Sequence, residues 1–162
     1  MDIDNLMDMY GDEVLHICMY FLKNQHDAED AFQEIFVKIY KKGHTFRSQS
    51  SIKTWITSIA INTCKDILKS SWRRNVIEFS TIKEAGDHYY DEKKSEDEVY
   101  DTLQELPDIY KEVVYLKYYK EMTAKEIAKV LGISVAAVNS RLYRAKEELA
   151  IIFNEKGLGV NG

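Results

Sequence analysis

The sequence predicts an all-helical protein built from two small domains. Three observations carry this. One proline and seven glycines in 162 residues leave long uninterrupted stretches, as helices require. Apolar residues recur at spacings of three and four along most of the chain, the period of a helix with one buried face. A polar, acid-rich stretch divides the periodic segments into two groups. A hydrophobic share of 45% is enough for packed cores, and the length suits one ordinary domain or two small ones. The expected boundaries are a first helical domain over residues 1–75, an acidic linker over 76–97 and a second helical domain over 98–162.

In chain order, residues 3–23 read as an amphipathic helix with Leu6, Tyr10, Val14, Ile17 and Phe21 inward. Asn24 to His26 break it. A second helix starts at Asp27, with Asp27, Glu29 and Asp30 near its positive end, where acids are favourable. Its core face is Ala28, Phe32, Ile35, Phe36 and Ile39. Its opposite face holds Asp30, Gln33, Glu34 and Val37. A valine among exposed acids fits a docking patch, while acids that merely serve the helix dipole explain Asp27 and Glu29 better than Glu34. Gly43 to Ser51 is a polar loop around Phe46 and Arg47. A third helix, from about Ser51 to Trp72, is expected to bury Ile52, Ile56, Ile59, Thr63 and Ile67. Trp55 and Asn62 are seven residues apart, two turns, and so share one side of it.

Residues 76–97 lose periodicity and collect acids, the composition of a linker. Helix returns near Glu98 with Val99, Leu103 and Leu106. Pro107 stands where a helix can begin. Ile109, Val113, Val114, Leu116 and Lys117 then lead through Tyr118 and Tyr119 to the stretch from Thr123 to Phe153. There Thr123 and Glu126 make a capping box, and Ile127, Ala128 and Leu131 share a face. Gly132 permits the left-handed turn that stops a helix, and Ser134 caps the next one. Val138, Leu142, Ala145 and Leu149 form that helix's apolar stripe. Two short helices around a glycine turn match a DNA-binding helix-turn-helix. They also match a core hairpin with a solvated outer face. In the first case Ala136, Ser140, Tyr143 and Arg144 project away from the stripe, with Asn139 and Arg141 on its flanks. Arginine suits guanine edges and phosphates, and asparagine suits adenine. Residues from Gly157 onward read as a frayed tail.

The net charge of −5 hides a segregation of signs. Residues 1–37 carry one Lys against nine acids, and residues 38–75 carry nine Lys/Arg against Asp66 alone. Residues 76–108 carry three cations against eleven acids, and the remainder nine against six. Blocks of this kind point to one surface for phosphate and others for basic partners. The basic block is interleaved with Tyr40, Phe46, Trp55 and Trp72. Cations with aromatics are the composition of a single-strand binder, although core aromatics beside a solvated basic face would read the same way.

Several classes have no support in the sequence. Cys18 and Cys64 form no CxxC, so neither a zinc site nor a disulfide framework is indicated. Two scattered cysteines fit a reducing cytoplasm. Neither a secretion signal nor a run of 18 apolar residues is present, so membrane insertion is not expected. No P-loop, GxSxG or HExxH is found. His16, His26, His44 and His88 are dispersed. No catalytic residue, cofactor or metal site is expected. Asp30 and Glu34 stand four apart, as metal-binding carboxylates can, but without the Glu-x-x-His pairs of a helical carboxylate metalloenzyme. A free-standing helix-turn-helix regulator would need neither the acidic helix nor the basic aromatic block.

Three stretches, in this order, are similar to the bacterial RNA polymerase sigma factors of the extracytoplasmic-function group. DAEDAFQEIFVKIYKK resembles that family's core-binding helix. TFRSQSSIKTWITSIAINTCKDILKSSWRR resembles its −10 element-reading and melting segment. LQELPDIYKEVVYLKYYKEMTAKEIAKVLGISVAAVNSRLYRAKEEL resembles its −35-reading domain. The resemblance implies a non-enzymatic transcription initiation factor that binds core RNA polymerase and promoter DNA, both duplex and single non-template strand. It implies polymerase contacts at Asp30, Gln33 and Glu34. It implies a −10 pocket of Phe46, Arg47, Trp55 and Asn62 for a flipped base, and a −35 face of Asn139, Ser140, Arg141, Tyr143 and Arg144. Asn139 departs from the basic residue often found at its position. An anti-sigma factor is a further expected partner, the linker is expected to thread toward the polymerase channel, and the cytoplasm is the expected location.

Overall fold

The computed structural model describes residues 2–46, 51–77 and 95–157, with side chains excepted at 71–77 and 95–98. The described residues form α-helices with short 3-10 and π turns. The chain divides into two compact units, Met1–Tyr89 and Tyr90–Gly162.

The first unit packs three helices, α1 (Ile3–Leu22), α2 (Gln25–Lys42) and α3 (Ile52–Ile77), each against the other two. Local chemistry sets their ends. Asp2 caps α1 by accepting the Asp4 N–H at 3.1 Å. Lys23 leaves α1 in the left-handed region, φ 58°. Asn24 caps α2 by accepting the Asp27 N–H at 2.9 Å. Lys41 and Lys42 sit in the last turn of α2, where cations complement the helix dipole. A 3-10 turn, Gly43–Thr45, follows. The core is formed by Val14, Ile17, Cys18 and Tyr20 of α1, Ala28, Ala31, Ile35 and Ile39 of α2, and Ile56, Ala60, Ile61 and Cys64 of α3. Each fully buried Val or Ile among them contributes roughly 1.5–3 kcal/mol.

The buried face of α3 differs from the expected stripe. Ile56 and Thr63 are buried, but Ile52, Ile59 and Ile67 are only half-buried, and Ala60, Ile61 and Cys64 take the fully buried positions. The reason is that α3 lies against two helices, so its buried wedge is wider than one stripe. α3 also continues past Trp72 to Ile77, and the next helix begins at Ser95. The first two and last three residues of the expected linker are therefore helical, and the rest of it lies outside the described residues.

The second unit contains α4 (Ser95–Gln104), α5 (Asp108–Val114), a π turn (Tyr115–Tyr119), α6 (Ala124–Leu131) and α7 (Val135–Glu155). Pro107 precedes α5, and its carbonyl accepts the N–H groups of Tyr110 and Lys111. In the π turn the Lys120 N–H reaches the Tyr115 carbonyl at 3.1 Å. The wider turn buries Tyr115 and Leu116 and leaves Tyr118 and Tyr119 exposed. The capping box is formed: Thr123 Oγ1 accepts the Glu126 N–H at 3.1 Å, and Glu126 Oε1 accepts the Thr123 N–H at 2.9 Å. Gly132, at φ 71°, ends α6, and Ser134 caps α7 through the Ala137 N–H at 3.0 Å. Leu103, Leu106, Val113, Val114, Leu116, Met122, Ile127, Val130, Val138 and Ala145 make the core. Lys156 fastens the end of α7 to the α4 segment, with Nζ 2.6 Å from Glu105 Oε2 and 3.3 Å from Thr102 Oγ1.

Candidate functional site

Three surfaces carry the residues singled out from the sequence. On α2, burial of Ala31, Ile35 and Ile39 turns the other side of the helix outward. Asp30, Gln33 and Glu34 are all exposed there, with Val37 beside them at 51% exposure. Asp30 Oδ2 lies 3.6 Å from His26 Nε2. Glu34 Oε2 lies 3.4 Å from Lys38 Nζ, which also donates to Thr63 Oγ1 on α3 at 3.1 Å. The carboxylates are thus concentrated on one outward face, accessible to a basic partner.

The Glu34 charge is also felt inside the unit. Cys64 is held far above the ordinary thiol range, first by its hydrogen bond with the Cys18 thiol and then by burial. Electrostatic interaction with Cys18 and the negative charge of Glu34 add smaller contributions in the same direction. Both cysteines are free and buried. Cys64 is therefore kept in its thiol form and serves packing rather than nucleophilic chemistry.

At the start of α3, the Ser51 hydroxyl accepts the Thr54 N–H at 3.0 Å and fixes the helix entry. The Phe46 ring packs on Trp55 at a centroid distance of 5.1 Å and a tilt of 46°. Asn62 is exposed two turns further along the helix. Arg47 lies outside the described residues. Sequence spacing alone could not reveal the Phe46–Trp55 contact, which depends on the chain folding back after α2.

On α7, burial of Val138 and Ala145 orients the helix. Asn139, Ser140, Tyr143 and Arg144 are exposed, Tyr143 at 65%. These four line one open groove, together with Ala136, Glu147 and Glu148 of α7 and Tyr110 of α5. Arg141 is placed differently. It is half-buried, and its Nη1 lies 3.7 Å from Glu112 Oε2, on a residue only 3% exposed. Its guanidinium is engaged by α5 and does not line the groove. Tyr110 escaped the sequence reading because only the packing of α5 on α7 brings it there. Among the described residues no cluster of His, Cys, Asp and Glu could hold a metal ion. No described helix is long and apolar enough to cross a membrane.

The Sigma-70 region 2 family model matches residues 6–74, and the Sigma-70, region 4 model matches residues 96–149. The chain belongs to the sigma-70 family. Within it, the similarity is to the extracytoplasmic-function group. The ECF RNA polymerase sigma factor SigM of Bacillus subtilis is 30% identical over 165 residues, covering 99% of each chain. The RNA polymerase sigma factor SigV of the same organism is 30% identical over 159 residues, covering 96% of this chain and 90% of its own. Among solved structures, the sigma factor RpoE from Bartonella quintana, in complex with the anti-sigma factor NepR, superposes with a TM-score of 0.80 at 18% identity. That alignment covers 94% of this sigma factor and 97% of RpoE. CnrH, in complex with the cytosolic domain of CnrY, superposes with a TM-score of 0.70 at 22% identity, covering 94% and 88%. These two likenesses concern the fold.

Proposed function

We infer that this sigma factor binds core RNA polymerase, directs it to promoters by their −35 and −10 elements, and assists melting. The observation that carries this is the pair of family matches, region 2 then region 4, on one chain. Asp30, Gln33 and Glu34 serve as the polymerase contact, since exposed acids on one helix face complement basic side chains. Asn139, Ser140, Tyr143 and Arg144 read the −35 duplex in the major groove, with Arg144 suited to a guanine edge. Arg141 supports that helix from behind through Glu112. Phe46, Arg47, Trp55 and Asn62 take a base flipped from the non-template strand, which offsets part of the few kcal/mol that unstacking costs. Residues 1–75 act as the core-binding and −10 domain and residues 98–162 as the −35 domain. The factor works in the cytoplasm, without a cofactor or catalytic activity of its own. An anti-sigma factor binds and restrains it, a reading supported by the complex of the similar RpoE with the anti-sigma factor NepR.

The test is transcription from a promoter library by purified core polymerase, with and without the protein. The expected outcome is a restricted set of new transcripts that share two spaced elements. Sequence-specific duplex binding with no association with core polymerase would instead make it a free-standing helix-turn-helix regulator.

A further inference from the structure

Lys38 links two helices of the first unit. It projects from α2 one turn beyond Glu34, and its side chain is only 32% exposed. Its ammonium meets two groups on two helices: Glu34 Oε2 at 3.4 Å on its own helix, and Thr63 Oγ1 at 3.1 Å on α3. Thr63 is 1% exposed and belongs to the packed face of α3. The lysine is therefore anchored at its far end to the rigid part of the unit. Glu34, by contrast, is half in water, its side chain 50% exposed.

We propose that Lys38 is a positioning residue for polymerase docking, holding the Glu34 carboxylate in its bound orientation before the partner arrives. The role assumes that Glu34 meets polymerase, as proposed above. An exposed glutamate on a helix samples several rotamers, and ordering it on binding weakens association. An ammonium fixed by Thr63 and placed against one oxygen removes much of that freedom. Oε2 faces Lys38, and Oε1 remains available to a basic side chain of the partner. An ion pair this exposed adds little to stability, so its effect belongs mainly to recognition. Lys38 is not itself the contact, because its ammonium is directed toward α3.

The experiment is a titration of core polymerase with the full-length protein and five variants: Lys38→Met, Lys38→Arg, Thr63→Val, Glu34→Gln and the Lys38→Met/Glu34→Gln double variant. Thermal melts run in parallel. Lys38→Met keeps the apolar stem and is expected to weaken binding about three- to tenfold, the range set by ordering one long side chain. Thr63→Val, nearly isosteric, should show a smaller loss in the same direction. Lys38→Arg should recover most of the parent affinity. In the Glu34→Gln background, Lys38→Met should cause no further loss. Such non-additivity marks residues acting through one another. A loss that persists in that background would make Lys38 a direct polymerase contact and overturn the proposal. Tighter binding by Lys38→Met would show that it competes with the partner for Glu34, and unchanged binding would show no role. Both results overturn the proposal while leaving the docking assignment in place. If Glu34→Gln itself binds like the parent, the docking assignment fails and the proposal fails with it.

Discussion

Arg141 and Arg144 are three residues apart on one helix, and their surroundings differ. Arg144 is exposed and lines the groove on α7. Arg141 is half-buried with its guanidinium 3.7 Å from Glu112, whose residue is 3% exposed. Removing Arg141 takes one partner from a buried carboxylate. Arg141→Ala should therefore lower stability by about 1–3 kcal/mol and should lower the melting temperature. Arg144→Ala should change stability by less than about 0.5 kcal/mol. It should instead weaken binding to a −35 duplex by about 1–3 kcal/mol, with relaxed preference at one base pair. Thermal melts beside duplex titrations separate the two. If Arg141→Ala keeps full stability and loses base preference, the roles are reversed. Both arginines were visible as candidates in the sequence. The difference in their surroundings was not, because Glu112 approaches from α5, 29 positions earlier in the chain.

At the scale of elements, glycine has two uses here. Gly132 ends α6 at φ 71°, a conformation that an L side chain rarely adopts. Gly11 lies inside α1 and is buried. A Cβ added there would meet only the Phe32 ring, at 3.8 Å, an ordinary contact. Gly11→Ala should therefore stabilise the protein by about 0.5–1 kcal/mol, since alanine loses less backbone entropy in a helix interior. Chemical denaturation of the variant checks this, and a lower midpoint at unchanged slope would mean that α1 and α2 must approach more closely than the structure has them. The helix ends at Thr123, Gly132 and Ser134 were legible because caps act over three or four residues. The π turn at Tyr115–Tyr119 was not legible. Its sequence, YLKYY, suits an ordinary helix, and burial of Tyr115 and Leu116 accompanies the wider turn.

On the scale of the molecule, two compact units with separate cores carry separate surfaces. The acidic face lies on α2 in the first unit and the groove on α7 in the second. A change to one should therefore leave the other's binding intact. Glu34→Arg places a cation in the acidic face, beside Lys38, and should weaken core polymerase binding at least about tenfold, since like charges across an interface cost several kcal/mol. Binding of a −35 duplex by the same variant should match the parent within error. Parallel titrations test the pair of outcomes. Equal core affinity would remove Glu34 from the docking face, and a matching loss on duplex DNA would mean that the two units do not act separately.

The sequence by itself determined the helical class, the order of the helices, the caps at Thr123, Gly132 and Ser134 and most of the inward faces of α1 and α2. These follow from periodicity and from hydrogen bonds between near neighbours. Three stretches in the right order also determined the family. Tertiary structure decided what depends on distant segments meeting. It set the buried face of α3, because two helices rather than one pack on it. It joined Phe46 to Trp55 and brought Tyr110 beside α7. It turned Arg141 toward Glu112 and tied Lys38 to Thr63. In each case the partner lies on another helix or beyond a turn. A side chain's spacing says which face of its own helix it occupies, and only the packing of helices says what that face meets.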